Sequence, residues 1–345
     1  MENASTPPPA VDQSAADATG TPRLTSADVH RAERRLTGRL WRTPVIRSDQ
    51  LDALVGARLW LKAENLQRSG SFKVRGALLA VEQLTASGSH GVIAQSTGNH
   101  AIAVALAARE YKLPSVAVLP SDAAPGKIRR VRDAGAEVVL AGTLLADRVA
   151  KVEELRQLYG YDVVDPYQNP HVVAGQGTAT AELISQVAAD GGRLDAVVVP
   201  IGGGSAIAGA SLAADGHGLA VVGAEPEAVP AFTAALRARE PVTVPAHHTI
   251  ADGLRPDRIG GLPFALAHRA VDTVITVSES AIGHALRTAL LDARLLIEPA
   301  AATALAAALE YASGPVSDVG VLLSGGNVDP SLVRSIMAGR GGRGQ

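Results

Sequence analysis

Lys73 sits between a run of small, turn-forming residues, Ser69-Gly70-Ser71, and an apolar run, Ala77-Leu78-Leu79-Ala80-Val81, that reads as a helix. Ser71 is placed to cap that helix, its hydroxyl accepting a free first-turn N–H. Lys73 then falls in the first turn, at the positive end of the macrodipole, where a cation is disfavoured. A lysine there is either a solvated surface charge or one whose neutral amine is wanted. Neutral amine is what Schiff-base chemistry uses, and partial desolvation supplies it.

Three further stretches place donors or hydroxyls where a strand gives way to a turn. The apolar strand at Ala196–Pro200 runs into Gly202-Gly203-Gly204 and then a helix from Ser205 to Ala214. Backbone N–H groups converging at such a junction suit an anion such as phosphate. A Walker loop would need Gly-Lys-Ser/Thr, whereas Ser205 follows directly on glycine. A dinucleotide fingerprint would need glycine or alanine where Ile207 stands, although Glu225 follows the next strand at the right distance. A phosphate loop, a nicotinamide site and a plain tight turn all stay open on these residues alone. Gln95-Ser96-Thr97-Gly98-Asn99-His100 offers two hydroxyls, an amide and free N–H groups at a helix start, which suits a small carboxylate. Within it His100 reads as a base or a structural hydrogen-bonder, and Asn99 as a ligand group or a simple N-cap. Ser324, in Leu323-Ser324-Gly325-Gly326-Asn327-Val328-Asp329, ends the last strand at the carboxyl edge, where ligands of open α/β sheets gather.

The elements that must position these groups alternate. Short apolar strands at Ala57–Ala63, Gly91–Ala94, Ser115–Leu119, Ala136–Leu140, Ala196–Pro200, Ala220–Ala224, Thr273–Val277 and Gly320–Leu323 are separated by helical patterns, including Ala101–Glu110, Leu144–Tyr159 and Thr178–Ala189. Strands apolar on both faces, interleaved with helices, predict an α/β fold with mostly parallel sheets. Between Pro226 and Pro263 the regular pattern weakens, which predicts long functional loops.

Composition narrows the function classes. With 345 residues, 47% hydrophobic, and a net charge of −2, the chain is an ordinary globular protein without the basic clustering of a nucleic-acid or anionic-membrane binder. It has no cysteine, which removes disulfides, thiolate metal sites and thiol nucleophiles and fits a reducing compartment. Five lysines stand beside 27 arginines, so a lysine inside a motif carries weight. Residues 1–22 lack the basic and apolar regions of a signal peptide and read as a disordered tail, and 339–345 as a flexible end. No apolar run approaches the roughly 18 residues of a membrane span. A cytoplasmic protein is the expectation.

Taken together, these motifs resemble one family. The chain is similar to the fold-type II pyridoxal phosphate enzymes, specifically the threonine/serine dehydratase and serine racemase group. Arg42-Thr43-Pro44, Ser69 to Ala77, Ser96 to His100, Gly175-Gln176-Gly177-Thr178, Val199 to Gly209, Gly223-Ala224-Glu225-Pro226, Thr249 to Gly253, Glu298-Pro299-Ala300 and Ser324 to Asp329 carry the resemblance, in the family's order, over about residues 25 to 335. It implies a two-lobed α/β fold of the tryptophan synthase β type: residues 23–88 and 170–338 as a large cofactor-binding domain, 89–169 as a small mobile domain carrying the substrate loop. It implies pyridoxal 5'-phosphate as cofactor, held through the amine of Lys73, with Phe72 beside it. Gly202, Gly203, Gly204, Ser205 and Ala206 are then the phosphate cradle. Asn99 falls at the ring's phenolic oxygen and Ser324 at its pyridine nitrogen. Gly253, Glu298 and Tyr167 line the ring pocket, and Ser96, Thr97, Gly98, Asn99 and His100 grip the substrate carboxylate. A homodimer acting on a small amino acid is the family's usual form.

A hydroxyl at the pyridine nitrogen leaves the ring largely neutral, which favours prompt loss of a β-leaving group over a long-lived carbanion. Lys73, with Ser96 and Thr97 in the loop, is the expected catalytic group of a threonine/serine dehydratase that releases a 2-oxo acid and ammonia. The chain departs from the family pattern in places. Ser205 stands where relatives usually have a fourth glycine, and Ile102 where a glutamine is usual. Thr97 takes the position whose serine serves racemases as the opposite-face acid, and Tyr167 is an aromatic of the dehydratase kind. Ala231 replaces the aspartate that partners the residue at Glu225 in a divalent-cation site, so no metal is expected and Glu225 reads as a plain surface residue. The alternatives are a serine-type racemase, a lyase for 3-hydroxyaspartate or an ectoine-derived compound, a cofactor-free binding relative, or a nicotinamide oxidoreductase.

Overall fold

The structure, a computed structural model, describes residues 23–338 apart from 97, 124, 144 and 246. The expected tails at 1–22 and 339–345, and Thr97, lie outside the described residues. In chain order the elements are α1 (Ser26–Leu36), β1 (Val45–Ile46), α2 (Asp49–Val55), β2 (Arg58–Ala63), α3 (Lys73–Ala86), β3 (Val92–Gln95), α4 (Asn99–Glu110), β4 (Ser115–Leu119) and α5 (Pro125–Asp133). There follow β5 (Glu137–Leu140), α6 (Leu145–Tyr159), β6 (Asp162–Val163), α7 (Pro170–Ala189), β7 (Ala196–Pro200), α8 (Ser205–Ala214), β8 (Ala220–Pro226) and α9 (Ala231–Ala238). The chain closes with α10 (Gly261–Ala267), β9 (Thr273–Val277), α11 (Glu279–Leu291), α12 (Pro299–Tyr311), β10 (Asp318–Leu323) and α13 (Pro330–Met337).

The strands form two sheets, one in the order β1-β2-β10-β7-β8-β9 and one in the order β5-β4-β3-β6. Among the described residues, the strand pairings are parallel except β1 with β2. Both faces of the larger sheet are covered, which is why its strands read as unbroken apolar runs. Leu59, Leu61, Val198, Val319 and Val321 pack with α11 and α12. Trp60, Val197, Val199 and Leu322, one residue out of step, pack with α7 and α8 on the other face. A third cluster joins α3 and α4 to the smaller sheet. Val321 is level with both Leu61 and Val198, so Ser324, the glycine loop after β7 and the residues after Ala63 leave the sheet at one edge.

Helix α7 lies between the lysine helix α3 and the glycine-loop helix α8, and it touches both at backbone distance. A Cβ on Gly76 would sit 2.6 Å from the Val172 carbonyl oxygen, and one on Gly175 would sit 2.6 Å from the Gly76 Cα. On the other side a Cβ on Gly177 would lie 2.6 Å from the Gly209 carbonyl oxygen. These contacts fix how far the start of α3 stands from the start of α8.

Several expectations are corrected. Ser71 does not cap α3. The N-cap is Phe72, already helical at φ −58 and ψ −19, and no side chain caps it. Ser71 is instead fully buried and bridged to Gly325. Asn99 is not an N-cap either; Gly98 is, and Asn99 is the first residue of α4. The helix expected from Thr178 begins two turns earlier, at Pro170, capped by the Asn169 side chain, which accepts from the His171 N–H at 2.9 Å. The stretch after Pro226 contains α9 and α10 as well as a loop. Glu225 is not a surface residue: it is 1% exposed, and its carboxylate accepts from the Phe232 N–H at 2.6 Å and the Thr233 N–H at 2.9 Å, capping α9 from the neighbouring strand. Among the described residues, no helix is long and apolar enough to cross a membrane.

Candidate active site

Between the turn that follows β3 and the turns that follow β7 and β10 lies a cleft of about 1080 Å³. Phe72 and Lys73 open it at the start of α3. Ser96, Gly98, Asn99 and His100 enter from the turn after β3. Tyr167 comes from the segment before α7, Gly202 to Ala206 from the turn after β7, and Gly253, Glu298 and Ser324 from the far wall. Every site residue expected from the sequence and described in the structure therefore borders one cavity.

The Lys73 amine reaches over the start of α8. Its Nζ donates to Ser205 Oγ at 3.3 Å and approaches the Pro166 carbonyl oxygen at 3.5 Å, and it stands 5.0 Å from the centre of the Phe72 ring. Burial lowers its pKa from 10.5 to about 8, against the opposing pull of Asp165 and Glu298. Desolvation disfavours the ammonium, so the proton leaves at a lower pH than from a solvated lysine. The rate at which this amine combines with an aldehyde should therefore climb about tenfold per pH unit up to about 8 and then level off. Stopped-flow uptake of cofactor by cofactor-stripped protein checks this, and a rate still climbing past pH 10 contradicts it.

Across from the amine, Gly204 adopts φ +102, in the left-handed region, and ends the turn so that Ser205 can begin α8. Among the described residues, the N–H groups of Gly202, Gly203 and Gly204 have no protein acceptor, and the first N–H groups of α8 have none within the helix. The Tyr167 ring rests against Gly203, where a Cβ would meet its Cδ1 at 2.1 Å. Gly203→Ala should push that ring aside and weaken binding of an anion-tailed cofactor by about 10- to 100-fold, the range expected of overpacking. Equilibrium dialysis of the variant measures it.

The carboxylate loop is wired into the far wall. Asn99 Nδ2 donates to both oxygens of Glu298, at 2.7 and 2.9 Å, and Asn327 Nδ2 donates to Asn99 Oδ1 at 2.8 Å and to the Ser69 carbonyl at 2.9 Å. Asn327 thus decides which way the Asn99 amide faces. Burial pushes the Glu298 carboxyl up, against Asn99, Lys127 and Lys73. The His100 ring takes the structural role, its Nε2 lying 2.8 Å from the Val164 carbonyl oxygen; burial holds it at about 3, neutral near pH 7. The Gly98 N–H donates to Ser96 Oγ at 3.2 Å. Ser324 is 2% exposed, its carbonyl accepts from the Phe72 N–H at 3.0 Å, and its hydroxyl has no partner among the described residues.

A family model described as pyridoxal-phosphate dependent enzyme matches residues 36–325. The chain belongs to that family. It is 36% identical over 320 residues to L-threo-3-hydroxyaspartate ammonia-lyase of Saccharomyces cerevisiae, covering 92% of this chain and 97% of that one. To L-threonine ammonia-lyase of Thermotoga maritima it is 34% identical, over 91% of this chain and 78% of that one. The structure of maize serine racemase superimposes with a TM-score of 0.85 at 33% identity, covering 91% and 97% of the two chains. The cofactor of this pyridoxal-phosphate dependent enzyme is pyridoxal 5'-phosphate, and the residues present fit it. Unclaimed N–H groups stand ready for a phosphate, a lysine amine of lowered pKa for an aldehyde, and an unpartnered hydroxyl for a ring nitrogen.

Sequence reasoning passed over several residues here. Asn327 lay inside the Ser324–Asp329 motif but was given no role. Lys127, one of the five lysines, forms an ion pair with Asp252 across the cleft, and its Cδ lies 3.9 Å from where a Gly98 Cβ would be. Its scarcity was the one signal that could have singled it out.

Proposed function

We propose that this enzyme removes water from a small L-β-hydroxy amino acid, threonine or serine, giving a 2-oxo acid and ammonia. The observation that carries the reading is the pairing of a buried, easily neutralised Lys73 amine with a hydroxyl, Ser324, at the strand end where the ring nitrogen belongs. The bound cofactor supplies the electron-withdrawing ring that makes the α-proton acidic. The chain's own residues do the rest. The N–H groups and hydroxyl around Ser96–His100 orient the substrate carboxylate. The Lys73 amine takes the α-proton, its lowered pKa leaving an appreciable neutral fraction near pH 7. The β-hydroxyl leaves as water on the proton that Lys73 has taken from the α-carbon, and the released enamine takes up one water to give the 2-oxo acid and ammonia.

A second reading, a β-hydroxy amino acid with a second carboxylate such as 3-hydroxyaspartate, is favoured by the cations of the cleft. Lys127 and Arg130 on α5 and Arg255 and Arg258 on the opposite loop all border it. The deciding experiment gives the purified enzyme L-threonine, L-serine and L-threo-3-hydroxyaspartate and follows ammonia, 2-oxo acid and chirality together. Keto acid from threonine or serine supports the first reading, and keto acid from the dicarboxylate alone replaces it with the second. D-serine without keto acid overturns both in favour of a racemase.

A further inference from the structure

Lys127, in the first turn of α5, runs from the Ser96–His100 loop to the opposite wall of the cleft. Its Cδ passes 3.9 Å from where a Gly98 Cβ would be; among the described residues no other atom beyond the glycine's own chain neighbours comes within 4 Å of that point. Its ammonium ends on the carboxylate of Asp252, the first residue of a short turn, Asp252–Leu254, that also brings Gly253 to the cleft. The two side chains keep 26% and 27% exposure, so solutes in the cleft reach the pair. Two further cations face the same ammonium: Arg130, one turn along α5, and Arg255, three residues after Asp252. Neither meets a carboxylate among the described residues. Arg130 donates to the Val328 carbonyl at 3.1 Å and Arg255 to the Thr249 carbonyl at 3.3 Å. Glu298 and Asp329 also face Lys127, but Glu298 is held by both bonds from Asn99, and Asp329 caps α13. At this end of the cleft three cations therefore stand beside one exchangeable carboxylate, that of Asp252.

We propose that Lys127 is a specificity-determining residue: its ammonium, backed by Arg130 and Arg255, takes a carboxylate carried on the β-carbon of the bound amino acid, and Asp252 fills that place until the substrate displaces it. The inference deepens the second reading of the site, a dicarboxylic β-hydroxy amino acid, and rests on it. An amino acid with its nitrogen at the Lys73 end and its α-carboxylate on the Ser96–His100 loop turns its β-carbon toward the span that Lys127 crosses. A partly exposed ion pair is weak, so exchanging one carboxylate for another there costs little. The incoming carboxylate gains because it meets charged donors from both walls, Lys127 and Arg130 on α5 and Arg255 on the facing loop. A neutral side chain such as that of threonine brings nothing to exchange and leaves the pair with Asp252 closed.

The test uses holoenzyme and two amino acids that differ by one carboxylate and carry no β-hydroxyl, L-aspartate and L-alanine. Their dissociation constants are read from the absorbance of the bound cofactor. The native chain should bind L-aspartate at least about tenfold more tightly than L-alanine. Lys127→Met should lose about 10- to 100-fold for L-aspartate and less than about threefold for L-alanine. Lys127→Arg keeps the charge and should keep the preference, which separates loss of the cation from damage to the fold. Asp252→Asn should bind L-aspartate more tightly than the native chain, because the resident competitor has lost its charge. No preference in the native chain would overturn the proposal. So would equal losses for both amino acids in Lys127→Met, since Lys127 would then serve the α-carboxylate or the fold. Turnover separates the proposal from the reading beneath it. L-threo-3-hydroxyaspartate consumed as fast by Lys127→Met as by the native chain would overturn the role of Lys127 and leave the dicarboxylate reading standing. A preference for L-aspartate that vanishes in Lys127→Met supports that role even where the native chain leaves 3-hydroxyaspartate unconsumed and the reading itself fails.

Discussion

Lys73→Ala should lose turnover by at least about 10³-fold, the scale of removing a positioned general base, while keeping its fold. The side chain projects from the first residue of α3 into the cleft and makes two long polar contacts, at 3.3 and 3.5 Å, so little packing is lost. Removing a desolvated amine relieves the folded state rather than straining it. The variant should therefore melt no lower than the cofactor-stripped native chain, and reduction with borohydride should fix no cofactor to it. Turnover within tenfold of native would show that another group handles the α-proton.

The largest stability effect should come from a residue two positions further on. Arg75 is fully buried, and all five of its N–H donors are used: Nε and Nη2 on Glu64 at 2.8 and 2.7 Å, Nη1 and Nη2 on Glu182 at 2.8 and 2.9 Å, and Nη1 on Thr178 at 3.1 Å. Lys62, also fully buried, gives its three protons to Glu182 at 2.7 Å, Gln186 at 2.7 Å and the Thr43 carbonyl at 2.9 Å. Two cations and two carboxylates thus cancel inside the protein and bind α3, β2 and α7 to one another. The carboxylates beside it push the Arg75 guanidinium up despite its burial, whereas burial lowers Lys62. Arg75→Met leaves Glu64 buried with Thr43 as its remaining side-chain partner. Breaking a buried pair from one side costs about 3–5 kcal/mol, read here as a thermal midpoint lower by about 5–15 °C. Arg75→Lys should recover little of it, because one ammonium cannot span two carboxylates as the planar fork does. A drop of less than 2 °C in Arg75→Met would mean that the network is not what anchors α3.

What could be read from the sequence, and what could not, follows from how far apart the interacting residues lie. The strands of the larger sheet were legible because burial on both faces leaves Val197-Val198-Val199 and Val319 to Leu323 with hardly a polar interruption. The lysine, the glycine turn and the strand-end serine were legible because each is a local motif whose residue types already imply a ligand. The first half of α7 was not, because Gly175 and Gly177 break the helical pattern for the sake of contacts with Gly76 and Gly209, far away in the chain. The Lys62–Arg75–Glu64–Glu182 cluster was missed for the same reason. A charge in a sequence reads as solvated until its partner is found, and Glu182 is 120 residues from Lys62. Glu225 was misread likewise, its role being set by the helix start that folds back onto it. Asn327 acquires a task only once Asn99 is known to lie beside it.

The most direct measurement is to reduce the holoenzyme with borohydride, digest it and locate the cofactor by mass spectrometry. The pyridoxyl group should be found on the peptide containing Lys73 and on none of the peptides carrying Lys62, Lys112, Lys127 or Lys151. A label on any of those four, or no label at all, would contradict the assignment of the buried amine over the glycine loop as the group that carries the cofactor.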